Sequence, residues 1–161
     1  MSAIDLLESQ HREVEKLFQK FEKTSSGEEK ISLFEEIADK LAIHAAIEEH
    51  HFYPAVKEKR TKDILLESLE EHLSIKRTIA DLLKLDVDDE HFDAKMTVLK
   101  EEVQHHVGEE EKDLFPKVKK ILSADELAAL EQEMVAEQAE LEEEGNAREN
   151  IPGETAEAAP L

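Results

Sequence analysis

Two stretches of this chain repeat one arrangement of side chains, "HAAIEEHHFYP" from His44 to Pro54 and "HVGEEEKDLFP" from His106 to Pro116. Each has a histidine, a glutamate four positions on, a second glutamate beside it, and a proline after four more residues. Residues four apart on a helix differ by only about 40° in direction, so His44 with Glu48, and His106 with Glu110, point into one space. Imidazole lone pairs beside carboxylates are a donor set for a multivalent cation.

Two more histidines fall on the same kind of face. Ile4, Leu7, Val14, Phe18 and Phe21 mark a helical apolar stripe that His11 continues, and His72 interrupts the stripe Leu65, Ile75, Ile79 and Leu82. Phe34, Ile37 and Leu41 lead into His44 and Glu48, while Phe92, Met96, Leu99 and Val103 lead into His106 and Glu110. Buried ionisable groups cost several kcal/mol each when unpaired, and no Lys or Arg on these stripes is placed to offset them obviously. One histidine on an apolar face is usually a satisfied core residue. Four on four helices, two of them followed by Glu at i+4, are expected to hold metal through His11, His44, Glu48, His72, His106 and Glu110. His50, His51, His91 and His105 fall off the stripes and are read as surface or supporting residues. Tyr53, the single tyrosine, is read as an aromatic that packs the end of its helix, as Phe115 does, with lining of the pocket as the other option.

The elements that must position these residues are helices. Glycine and proline are scarce, Leu, Glu, Lys and Ala abound, and the apolar period is helical over about 3–24, 28–59, 63–84 and 91–121. The short polar breaks between them force neighbours antiparallel, which predicts an all-α, up-down-up-down four-helix bundle over 1–121. A fifth amphipathic helix is expected over 122–144, with Ser123 as N-cap and Glu126 three residues on. Residues 145–161 offer little to bury and are expected to form a flexible acidic tail. The four histidines recur at offsets of 61 and 62 residues, and six of fifteen positions agree between 44–58 and 106–120, suggesting a duplicated two-helix unit.

Composition narrows the chemistry. With 41 acidic and 20 basic residues, the net charge of -21 argues against nucleic acid and anionic membranes as partners. The absence of cysteine excludes disulfides, thiolate catalysis and sulfur-ligated metal. The start shows no basic and then apolar leader pattern, and no apolar run approaches a membrane span, so a cytoplasmic protein is expected.

His11 in "LLESQHREVEKLF", "HAAIEEHHFYP", His72 in "LEEHLSIK" and "HVGEEEKDLFP" together resemble the hemerythrin-like family of HHE cation-binding domains over about 1–121. The resemblance implies an antiparallel four-helix bundle around two iron ions, bridged by two carboxylates and an oxo or hydroxo group. It makes His11, His44, His72 and His106 terminal ligands and Glu48 and Glu110 bridges. A ferritin-like site would instead use Glu followed by His at i+3, with carboxylates in the majority. The chain departs from the oxygen-carrying members where Lys76, expected to turn its charge toward solvent, stands in place of a fifth imidazole, and where the fourth helix has His-x3-Glu rather than His-x4-Asp. An open position on both metals would then suit hydrogen peroxide or nitric oxide better than reversible O2 carriage. The other readings are a non-enzymatic oxygen or iron sensor, store or donor, and a metal-free acidic helical module that uses its fifth helix as a contact.

Overall fold

The computed structural model describes residues 1–161 and is all-helical. Helix α1 (Ala3–Lys23) starts from a capping box in which Ser2 and Asp5 satisfy each other's backbone N–H groups. Helix α2 (Gly27–Ile47), capped by Ser26, runs through a π-helical turn at Glu48–Phe52 into a short α3 (Tyr53–Val56). Helix α4 (Lys62–Leu83) leads to α5 (Glu90–Glu109), which passes through a second π turn at Glu110–Leu114 into α6 (Phe115–Ile121). These are the four expected rods, with α2–α3 and α5–α6 each acting as one long interrupted helix. None of the helices is long and apolar enough to cross a membrane.

The core is divided into two. One apolar cluster gathers Val14, Phe18, Phe21, Phe34, Ile37, Phe92, Met96 and Leu99, and the other gathers Ile4, Leu7, Ile47, Phe52, Leu65, Leu69, Leu114 and Phe115. The layer of histidine and glutamate lies between them. Helix α7 (Ala124–Glu144) begins with the expected capping box at Ser123 and Glu126 and packs Leu127, Leu130 and Met134 into the second cluster, against α1 and α2.

The last segment is not the free tail that its composition suggests. Gly145 (φ 73°) and Asn146 (φ 50°) reverse the chain after α7, and a 3-10 helix at Ala147–Glu154 lies across α2 and α4 as a strap. Ile151 is 2% exposed and belongs to the first apolar cluster. Its neighbours anchor through charge: Arg148 pairs with Asp39 at 2.9 Å and with Glu35, Glu154 accepts from Lys76 at 2.9 Å, and Arg77 donates to the carbonyls of Thr155 and Ala156. Ala147 is buried as well, and Ala158, Ala159 and Leu161 pack partly buried against the second cluster. Replacing Ile151 by Ala is expected to cost about 2–4 kcal/mol, lowering the melting temperature followed by circular dichroism by roughly 5–15 °C for a chain of this size.

Candidate metal centre

The two π turns explain how the sequence delivers the site. In each, the N–H before the proline bonds five residues back rather than four: Tyr53 to the carbonyl of Glu48, and Phe115 to that of Glu110. Pro54 and Pro116 have no N–H to give, and their rings would crowd the carbonyl four residues back in a regular helix. The wider turn absorbs this and rotates everything after the glutamate by one position. Hence Phe52, Tyr53 and Val56 are buried where an unbroken helix would have turned His51 and Ala55 inward, and Leu114, Phe115 and Val118 follow the same rule.

His11, His44, Glu48, His72, His106 and Glu110 all come together, each less than a tenth exposed. His11, His44, Glu48 and Glu110 place ligand atoms within 4.8 Å of one another, and Glu48, His72 and His106 do likewise. Glu110 Oε1 stands 3.3 Å from His11 Nε2 and 3.4 Å from His106 Nε2. Glu48 Oε1 contacts His44 Nε2 closely and lies 3.9 Å from His72 Nε2. Each carboxylate therefore spans two imidazole pairs, His11 with His44 and His72 with His106, whose ring centres are 4.9 and 4.7 Å apart. His50, His51, His91 and His105 lie outside this set; His50 and His51 face Glu137 on α7.

Behind the imidazoles stands a set of acceptors that sequence reasoning missed. His11 Nδ1 meets Glu111 at 2.7 Å, His44 Nδ1 meets Gln10 at 2.6 Å, His72 Nδ1 meets Glu49 at 2.7 Å and His106 Nδ1 meets Glu71 at 2.8 Å. An Nδ1–H bonded to an outer oxygen fixes the tautomer and turns the Nε2 lone pair inward, as metal-ligating histidines require. The signal was in the repeat: Gln10 and Glu71 each precede a candidate histidine, and Glu49 and Glu111 each follow a candidate glutamate. Gln10 is itself held by Gln138 of α7 at 3.1 Å, so the fifth helix supports the site through one side-chain amide.

One residue differs from expectation and another meets both of its readings. Lys76 does not reach for solvent: it is 6% exposed, and its ammonium donates to Glu49 at 3.1 Å and to Glu154 at 2.9 Å. It offsets Glu49 rather than the inward Glu48 and Glu110, because i+4 from His72 brings it over Glu49. Tyr53 packs its helix end and also enters the site. Its hydroxyl donates to Glu110 Oε2 at 2.8 Å and stands 3.2 Å from His72 Nε2 and 3.5 Å from His106 Nε2.

Five of the inward atoms lack partners. His11 Nε2, His44 Nε2, both oxygens of Glu48 and Oε1 of Glu110 are buried without a hydrogen bond. Burial, then the neighbouring His11, hold His44 well below the usual imidazole range, so its Nε2 lone pair faces the Glu48 carboxylate. Such opposed lone pairs call for a cation between them. Burial also works against charge on His106 but is outweighed by Glu110, Glu71 and Glu48, which raise it to about 9. His11 is raised likewise, burial being overcome chiefly by Glu110. Burial, followed by Glu110 and Glu48, pushes the Tyr53 phenol well above its ordinary range, so it keeps its proton. Above the imidazoles sits a cavity of about 30 Å³ walled by Val14, Leu41, Ile75, Ile79, Val103 and Ile151, among others.

Fold and site define an all-helical domain with a histidine and carboxylate donor set in its core, of the kind that binds cations. The profile of the hemerythrin HHE cation binding domain matches residues 2–118, and the chain belongs to that family. A crystal structure of a hemerythrin HHE cation binding domain-containing protein, the Rv2633c homolog from Mycobacterium kansasii, is similar in fold. The match has a TM-score of 0.79 at 23% identity, over 96% of this chain and 94% of that one. No curated protein matches the sequence.

Two outcomes follow from the electrostatics. The His106 imidazolium stabilises the metal-free fold fully below its unfolded pKa of 6.5, and that stabilisation is lost as pH rises through about 9. Metal-free protein should therefore melt at progressively lower temperature across this window, whereas a metal on Nε2 removes the dependence; melts with and without chelator compare the two. Replacing Glu71 by Gln removes the anion behind His106 and is expected to weaken metal affinity by about 10–100-fold in competition titrations.

Proposed function

We propose that this chain binds two iron ions between its imidazole pairs and consumes a small oxidant there, hydrogen peroxide or nitric oxide. The observation that carries the reading is the convergence of five unpartnered buried donor atoms, from His11, His44, Glu48 and Glu110, with all four imidazoles held from behind. His11 and His44 would hold one ion, His72 and His106 the other, and Glu48 and Glu110 would bridge them. Iron so held supplies electron transfer and Lewis acidity to a bound oxidant.

The chain's own residues would do the rest. The apolar walls of the cavity exclude bulk water, and its volume of about 30 Å³ suits a molecule of two to four atoms. Tyr53 Oη is the hydroxyl hydrogen-bonded to the ligand set, and it keeps its proton beside Glu110 Oε2. That placement makes it a proton donor within the layer. Lys76 holds Glu49 against His72 and fills the place where a fifth imidazole would saturate one ion.

Protein reconstituted anaerobically with ferrous iron is expected to retain about two ions per chain, and retention of less than one would overturn the reading. Peroxide-dependent oxygen evolution and nitric oxide uptake, measured on the same preparation, decide between the substrates; loss of neither reagent would favour binding or storage instead. Tyr53→Phe is expected to keep both ions and to lower turnover by about tenfold or more.

A further inference from the structure

The duplicated halves leave two seams through which a small molecule could approach the imidazoles, one between α2 and α4, the other between α1 and α5. The strap closes the first. Ile151 stands between the cavity and an outer cleft of about 180 Å³, and Lys76, tied to Glu49 and Glu154, lines both. Helix α2 presents small residues here, Ala42 lining both the cavity and the outer cleft and Ala46 the outer cleft, with Ala38 one turn before them.

The second seam has no strap. At the positions 62 residues beyond those alanines, α5 carries Lys100, Gln104 and Gly108. They line a cleft of about 250 Å³ between α1 and α5 that shares His11, Val103 and Val107 with the cavity. A Cβ on Gly108 would meet nothing within 4 Å, so helix backbone borders open space at this point. Half-buried Val107, with Val103, is the partition between cleft and cavity.

We propose that small oxidants reach the site through the α1–α5 seam past Val107 and Gly108, while the strap keeps the α2–α4 seam shut. This rests on the di-iron reading and adds the residues that decide access. Gly108 is suited to testing it because a Cβ placed there meets nothing within 4 Å, and a helical glycine gains helix propensity on substitution.

The test is stopped-flow binding of azide to the iron-loaded protein, with metal counted on every sample. Gly108→Phe is expected to slow azide association and dissociation alike, by about tenfold, with Kd unchanged, because an obstacle on the path alters rates and not the bound state. Gly108→Ala, which adds a methyl group to open space, should bind azide at the wild-type rate and serves as the control for helix effects. Adding Ile151→Ala to Gly108→Phe should restore fast binding by opening the other seam, a recovery that a damaged site would not show. Unchanged rates in Gly108→Phe carrying two ions would overturn the proposed entrance, as would a changed Kd with unchanged dissociation. Wild type that takes up no metal would overturn the di-iron reading, and the entrance with it.

Discussion

The structure turns on the cost of placing four imidazoles and two carboxylates in the middle of an apolar core. In a low-dielectric interior a lone pair facing a carboxylate is unfavourable, and charge without a partner is worse. His44 illustrates the problem, since it is held neutral by burial while its Nε2 meets Glu48. Without a metal, protons on His11 and His106 offset Glu48 and Glu110, which is why both are raised despite burial. Metal binding must displace those protons, so the same atoms serve two alternative counter-charges. The two apolar clusters on either side of the layer hold the donors in place in both states.

The local device that makes this possible is the π turn with its proline. A helix that presents His and Glu four residues apart would ordinarily continue with its polar residues inward, and the "EEHHF" and "EEKDL" that follow are mostly polar. Shifting the register by one position at the glutamate lets an aromatic residue follow on the inner side. Tyr53 and Phe115 occupy that position in the two halves. Phe115 stacks nearly parallel to His11 at 6.0 Å, and Tyr53 lies against His72 at 5.4 Å. The duplication thus yields an aromatic floor on both sides, with a hydroxyl on one.

Much of this was legible in the residues. Helical period gave the four rods, and the interruption of each apolar stripe marked His11, His44, His72 and His106, because polar side chains at inward positions are conspicuous against a regular pattern. The outer acceptors were less visible: Gln10, Glu49, Glu71 and Glu111 look like ordinary helix-surface residues until the packing shows that each meets an Nδ1 on another helix. The strap was invisible for a similar reason. Its docking depends on Asp39, Glu35, Lys76 and Arg77, which are distant in sequence and whose availability composition does not report. Lys76 was misplaced because snorkelling is the usual fate of a lysine near a core, and a buried carboxylate within reach reverses it.

What the repeat makes alike, single differences between the two halves make unlike. His72 and His106 are backed by two carboxylates, Glu49 and Glu71, whereas His11 and His44 are backed by one carboxylate, Glu111, and the neutral amide of Gln10. An anion behind an imidazole raises its basicity, so the His72–His106 pair is the stronger donor set. The raised His106 and His11 each have a carboxylate behind them, whereas His44, lowered chiefly by burial, has the amide of Gln10. Tyr53 adds a hydroxyl to the stronger side, and Lys76 tempers it by sharing Glu49. Two ions in this layer would therefore meet unequal fields although the six donors at the site are related by a near-perfect repeat. That inequality resides in the outer residues and not in the six donors, whose residue types are the same in both halves.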